Sequence, residues 1–198
     1  MKSIVRLFSL FLALFVAVTL LYMLFRFVFF PLIGWTENMW LDFPAVFYPA
    51  LNAPDPYATY GYFNPPWLLW LMKPLALLPW PDAWALWTAV MVLLTMRCIT
   101  ALGGGLLALI LVMTSPPMLE VMLNGQVDPL VLLGLFFMAR LRRDVYLATL
   151  STIFVTPYIG ANSLLVYSAV ITSRYGRLVA VLWTVAMWAL AFNRFGGS

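Results

Sequence analysis

Long apolar stretches without charged residues, separated by short polar segments, dominate the chain. The first stretch covers residues 7–25 and directly follows Lys2 and Arg6. As an α-helix it is long enough to cross the roughly 30 Å hydrocarbon core of a bilayer. It is longer than the core of a signal peptide, and no small-residue cleavage motif follows it. The pattern therefore predicts an uncleaved first transmembrane helix.

Further charge-free stretches follow Lys73, and they cover residues 74–81, 83–96, 98–119, 129–139, 145–173 and 178–193. Backbone groups in lipid must form hydrogen bonds within their own segment, so these stretches predict helices. The stretch 145–173 has Pro157 near its middle. Two interpretations stay open there, namely one kinked span or two short spans that turn at 157–162.

Composition indicates the same class of protein. Hydrophobic residues make up 65% of the 198 residues and charged residues 9%, whereas about 25% of a soluble domain is charged. We expect an all-α polytopic transmembrane bundle of about six to eight membrane segments, some short or re-entrant, with residues 1–198 as one domain. The net charge of +4 is too small for nucleic-acid binding. The lack of histidine removes the usual zinc ligand and catalytic base.

Loop charges predict the topology, because cytoplasmic loops carry an excess of Lys and Arg. With the N-terminus in the cytoplasm, 34–64 is an extracytoplasmic loop with juxtamembrane helices. The arginine-rich segment 140–143 then lies inside, the chain reverses direction at Arg97, and 65–81 is a re-entrant or interfacial segment. In the alternative topology, 65–79 is a full span.

Residues 31–81 differ from the rest of the chain, because they hold ten of its 14 prolines and many of its aromatic residues. Proline argues against one continuous helix, and Trp and Tyr prefer the headgroup level of a bilayer. We expect a structured surface loop with short amphipathic pieces around 43–51 and 67–71. The composition leaves two roles open: an aromatic belt that only anchors the chain, or a cleft for a lipid-linked sugar.

Short motifs recur in a fixed order along this region and beyond it. They are Leu-Asp-Phe-Pro-Ala-Val-Phe-Tyr at 41–48, Asp-Pro-Tyr at 55–57, Tyr-Phe-Asn-Pro-Pro-Trp at 62–67, Pro-Leu-Ala-Leu-Leu-Pro at 74–79 and Asn-Gly-Gln-Val-Asp-Pro at 124–129. This order resembles the C-type glycosyltransferase (GT-C) superfamily of polytopic membrane enzymes. Within it, the chain looks most like glycosyltransferase family 87, the polyprenyl-phosphate-mannose-dependent mannosyltransferases. Family members are considerably longer, so the chain resembles a shortened member.

The resemblance implies a hexosyltransferase that moves a sugar, mannose in that family, from a polyprenyl-phosphate donor to an acceptor on the outer face. It implies that Asp42 is the general base that takes the proton from the acceptor hydroxyl. The alternative role of Asp42 is to cap a short interfacial helix, since Phe43 and Pro44 follow it. No spacing requires a cofactor, and a divalent metal ion held by outer-loop carboxylates stays open.

Six residues are candidates for binding the substrate: Tyr48, Tyr62, Asn64, Lys73, Gln126 and Asp128. A lysine in an apolar run usually has a partner, so Lys73 either meets the lipid phosphate or reaches out to the headgroups. Arg26 has the same two interpretations. Asp128 begins a predicted helix, where a carboxylate also favours the helix dipole. The glycines at 103–105 predict a close approach of neighbouring helices.

The alternative function is a non-catalytic GT-C-derived subunit with a structural role in a larger membrane protein complex. It follows from the shortened chain, because missing helices would remove part of the wall around the lipid carrier. Other membrane proteins would then be partners, in addition to the lipid bilayer. For both functions we expect an integral protein of a prokaryotic cytoplasmic membrane with a cytoplasmic N-terminus.

Overall fold

The computed structural model describes residues 2–33, 42–59, 66–142 and 164–195. All regular secondary structure in these ranges is helical, which confirms the predicted all-α class for the described residues. Residue contacts group the chain into two compact units, Met1–Leu93 and Leu94–Ser198.

The first unit begins with a long apolar helix, called helix 1, that covers residues 2–33. It consists of α1 (Lys2–Leu24), a π-helical turn (Phe25–Phe29) and α2 (Phe30–Ile33), which follow one another directly. Side chains at 5–16 are exposed on every side, as expected of a helix surrounded by lipid. Phe25, in the second half, is buried. The first helix predicted at 7–25 is thus present and extends further at both ends.

Short helical pieces follow helix 1. They are a π-helical turn (Phe43–Phe47), α3 (Tyr48–Asn52), a 3₁₀ turn (Pro56–Ala58), α4 (Pro66–Met72) and a second 3₁₀ turn (Lys73–Leu77). Each piece has a proline at its first or second position, where the missing N–H costs no helical hydrogen bond. Both short pieces predicted around 43–51 and 67–71 are present.

The next long helix, α5 (Trp80–Ala101), has 22 residues. It continues through Arg97, so the reversal of direction predicted at that residue is wrong. Arg97 is exposed, and an arginine on an exposed helix face is compatible with a continuing helix. The helix ends instead before Gly103, whose φ of 93° is a conformation that glycine adopts without steric cost.

The second unit contains five more helices in the described ranges: α6 (Leu106–Met113), α7 (Pro116–Asn124), α8 (Asp128–Arg142), α9 (Leu164–Arg174) and α10 (Arg177–Phe195). Helix α9 contacts each of the other four, and its residues 168–170 are buried, so it lies at the centre of this unit. The turn considered at 157–162 lies outside the described residues.

Two helices are long and apolar enough to cross a membrane, Val5–Ile33 and Trp80–Ala101. A third span results if α6 and α7, which are bent by 59° at a short break, are one broken span. The prolines at 116 and 117 explain the break, because proline cannot continue the preceding helix. These helices support membrane association, whereas the larger number of spans predicted from the sequence is not confirmed by the described residues.

Gly104 lies at a close contact between the turn after α5 and helix α9. A Cβ atom at this position would lie 2.7 Å from Ser173 Oγ and 2.6 Å from Ile99 Cγ2. The close approach predicted for the glycines at 103–105 is therefore confirmed at Gly104.

We expect Gly104→Ala to lower the free energy of unfolding by about 1–3 kcal/mol, because overpacking forces neighbours to move. Thermal unfolding of the purified protein in detergent measures this loss. Gly105→Ala is the matched control, since a Cβ there would meet nothing within 4 Å. Equal losses in the two variants would contradict the close contact as the cause.

Candidate functional site

Asp42 directly precedes the π-helical turn that leads into α3. Its backbone is helical, with φ −56° and ψ −36°, and its side chain is half-buried. The next residue, Phe43, is completely buried. Within the described part of the chain, the Asp42 carboxylate makes no capping hydrogen bond to the following turn. Helix capping, the alternative role predicted for Asp42, is therefore not the role it has here.

Burial raises the pKa of the Asp42 carboxyl above its ordinary value of 3.8, because a poorly solvated environment disfavours the charged form. The folded protein thus binds this proton more tightly than the unfolded chain does. The protonated Asp42 carboxyl therefore contributes to the free energy of unfolding. This contribution is fully present below pH 3.8 and is lost as the pH rises through the raised pKa.

We expect the unfolding free energy of the wild type, relative to that of Asp42→Asn, to fall as the pH rises from 3.8 through the raised pKa. The amide of the variant does not titrate, so the unfolding free energy of the variant does not change with pH for this reason. Thermal unfolding in detergent at a series of pH values measures the difference. A difference that stays constant with pH would show that the carboxyl is not perturbed.

Two side-chain hydrogen bonds fasten α3 to the segment that follows α4. Tyr48 Oη donates to the Leu78 carbonyl oxygen at 2.7 Å, and Lys73 Nζ donates to the Leu51 carbonyl oxygen at 2.6 Å. The Lys73 bond lies at the carboxyl end of α3, where carbonyl groups lack helical partners and a cation is favourable. Both residues, which the sequence predicts to bind substrate, therefore also hold together the short helices that follow Asp42.

An ion pair joins helix 1 to α5. Arg26 Nε donates to Asp82 Oδ1 at 2.6 Å, and the Tyr22 hydroxyl donates to the same oxygen at 3.0 Å. The Arg26 guanidinium also lies 5.5 Å from the Phe27 ring centre and 5.1 Å from that of Phe30, within the range of cation–π attraction. The sequence interpretation of Arg26 did not include this partner.

Asp82 was not a candidate from the sequence, although a signal for it exists. It is the one acidic residue of α5, and Arg26 is the one charged residue of the π-helical turn in helix 1. A charged residue in an apolar helix is costly without a partner. Two such residues of opposite charge in neighbouring apolar helices therefore predict an ion pair. The structure contains this ion pair between Arg26 and Asp82.

Ring contacts near the ion pair define the relative direction of the two helices. The Phe30 ring centre lies 5.3 Å from that of Trp80 and 6.0 Å from that of Trp84. The carboxyl end of helix 1 thus lies beside the amino end of α5. In a bilayer, a single full span at 65–79 is not compatible with this arrangement.

Trp84 does not belong to an aromatic belt at the headgroups. Only 1% of its surface is exposed, and its ring packs edge-on against Phe25 with 6.1 Å between the ring centres. The aromatic residues at the start of α5 therefore hold helix 1 against α5.

Gln126 and Asp128 belong to the second unit. Gly125 ends α7 in the left-handed conformation, with φ 64° and ψ 34°, and the Gln126 N–H donates to the Val121 carbonyl oxygen at 3.2 Å. This turn is a common way to end a helix and favours glycine. Asp128 is buried in the first turn of α8, where a carboxylate favours the helix dipole. In the motif at 124–129, the glycine therefore ends α7 and the aspartate begins α8.

Tyr62 and Asn64, the remaining candidates for binding the substrate, lie outside the described residues. Asp55 is exposed, and its carboxylate accepts the Tyr57 N–H at 3.0 Å, as in an ordinary loop turn. In the described ranges, no group of three His, Cys, Asp or Glu residues lies together in a way that could hold a metal ion.

Comparisons with protein-family models, with curated proteins and with solved structures give no match to this chain. The resemblance to the GT-C superfamily therefore rests on the sequence motifs alone.

Proposed function

We propose that this chain is a GT-C-like membrane glycosyltransferase that moves a sugar, mannose by its resemblance to family 87, from a polyprenyl-phosphate donor to an acceptor hydroxyl. The observation that carries this proposal is the state of the Asp42 carboxylate. It is half-buried, its pKa is raised by burial, and it does not cap the helix that follows. A carboxylate with a raised pKa is a better proton acceptor than an exposed one.

The proposed reaction is a displacement at the anomeric carbon of the donor sugar. The acceptor oxygen forms a bond to this carbon while the bond from the carbon to the phosphate oxygen breaks. The hydroxyl proton passes to the Asp42 carboxylate. The electron pair of the broken bond leaves with the polyprenyl phosphate.

Lys73 is the proposed partner of the leaving phosphate. Its side chain is exposed, and an ammonium group has three N–H donors, one of which bonds to the Leu51 carbonyl. The other donors are available to phosphate oxygens while the side chain stays fixed on α3. The proposed substrate contacts of Tyr62, Asn64, Gln126 and Asp128 rest on the resemblance alone.

A transfer assay tests the proposal directly. The purified full chain is placed in lipid vesicles with radiolabelled polyprenyl-phosphate-mannose, and the mannose transferred to an acceptor or released to water is counted. We expect turnover above that of vesicles with heat-inactivated protein. A folded chain without turnover would contradict the proposal. If it also purifies stably with other membrane proteins, the result would favour the non-catalytic subunit.

A further inference from the structure

The short helical segment at 66–77 has apolar side chains on both of its sides. On one side Leu68, Met72 and Leu75 are buried at 1%, 0% and 7% exposure. On the other side Trp70 and Leu77 are exposed at 78% and 87%. The buried side packs within the first unit, whereas the exposed side presents large apolar groups to the surroundings. Such exposure to water is unfavourable.

The place of this segment in the chain identifies the surroundings. Only two residues separate Leu77 from Trp80, where the candidate span α5 begins. Helix 1 ends beside the start of α5, as the contact between Phe30 and Trp80 shows. The apolar helix Leu68–Leu77 is itself shorter than the candidate spans and too short to cross a bilayer. When helix 1 and α5 span the bilayer, the segment therefore lies at the level of the headgroups.

The exposed side chains suit this level. Tryptophan has an apolar ring with a polar N–H and prefers the boundary between headgroups and hydrocarbon. The exposed Lys73, three residues after Trp70, carries a charge that favours lipid phosphates.

We infer that the segment 66–77 is an interfacial helix whose Trp70 and Leu77 side inserts into the phospholipid headgroup layer, to a depth of about 5–10 Å. The occupant of the exposed side is the bilayer surface itself. This inference does not depend on the proposed enzymatic function.

A depth measurement with a fluorescent probe tests the inference. Cys98, which is buried, is replaced by alanine, and an environment-sensitive dye is attached to Leu77→Cys. Leu14→Cys, exposed in the middle of helix 1, is the deep reference, and Asp55→Cys is the aqueous reference. The full chain is placed in phosphatidylcholine and phosphatidylglycerol vesicles with spin-labelled lipids. Circular dichroism and gel filtration verify each labelled variant, and Leu71→Cys replaces Leu77→Cys if that variant does not fold.

We expect the dye at 77 to be quenched most strongly by a spin label near the headgroup. A label deep in the acyl chain and aqueous iodide should both quench it weakly. Quenching by iodide equal to that at 55 would place the segment in water and overturn the inference. If the deep label quenches the dye most strongly, the segment is re-entrant. If no quencher reaches the dye, a protein partner covers the segment. Both results would overturn the inference.

A second variant isolates the contribution of the tryptophan. In Trp70→Ala, iodide quenching at 77 should increase, because the interfacial anchor is lost while the buried side is unchanged. Quenching at 77 that is the same with and without Trp70 would overturn its role as the anchor.

Discussion

Replacing Asp42 with asparagine should lower the rate of sugar transfer by about 10²–10⁴-fold, the usual contribution of general base catalysis. The amide has nearly the same size as the carboxylate but cannot accept the proton of the acceptor hydroxyl. The loss should therefore appear in kcat, with KM for the lipid-linked sugar nearly unchanged. Initial rates of mannose transfer in vesicles, at several donor concentrations, measure both constants.

The pH dependence gives this prediction a second readout. Because burial raises the pKa of Asp42, the wild-type rate should rise with pH through a midpoint above 3.8 and level off once the carboxylate is ionised. Asp55→Asn is the matched control, since Asp55 is an exposed carboxylate in a local turn, and it should keep the wild-type rate. Equal turnover by Asp42→Asn and the wild type would remove Asp42 as the base.

Breaking the ion pair between Arg26 and Asp82 should destabilise the first unit by about 2–3 kcal/mol. Asp82→Leu leaves the Arg26 guanidinium in an apolar helix without its counter-charge, and Arg26→Met leaves the Asp82 carboxylate with only the Tyr22 hydroxyl as a partner. The two side chains are only 27% and 21% exposed, so water replaces the lost partner poorly. Thermal unfolding of each variant in detergent or lipid vesicles measures the loss.

The double variant with Arg26→Met and Asp82→Leu should be more stable than either single variant, because two apolar residues need no charge partner. Arg97→Met removes an exposed charge from the same helix α5 and should change the stability by no more than about 0.5 kcal/mol. If the losses of the two single variants simply add in the double variant, the two charges are not coupled.

Local signals in the sequence were sufficient to predict much of the first unit. The charge-free run at 7–25 predicted the first long helix, and the prolines predicted short helical pieces in place of one long helix. The sequence failed at Arg97, because a charge on an exposed helix face resembles a loop charge when only the sequence is considered. It also failed at 98–119, because residues 98–101 belong to α5 and the two prolines divide the rest of this charge-free stretch into α6 and α7.

The candidate site was predictable only in part. The order of residue types in the motif at 41–48 made Asp42 a candidate, and its catalytic role stays a prediction. The partners of Tyr48 and Lys73 are backbone carbonyl groups at Leu78 and Leu51. Every residue has such a group, so no sequence pattern could have indicated which one each side chain would reach.

The π-helical turn in helix 1 (Phe25–Phe29) gives the two halves of this helix different tolerance to change. A π turn holds one more residue than an α turn, and that residue rotates the preceding half by about 100° relative to a uniform helix. The part at 7–16 is exposed on every side and apolar except for Ser9. Its rotation about the helix axis therefore does not matter, and many apolar sequences would serve there. From Tyr22 to Phe30 the register must be kept, because these residues contact α5 and a deletion of one residue would move Arg26 or Phe30 away from it.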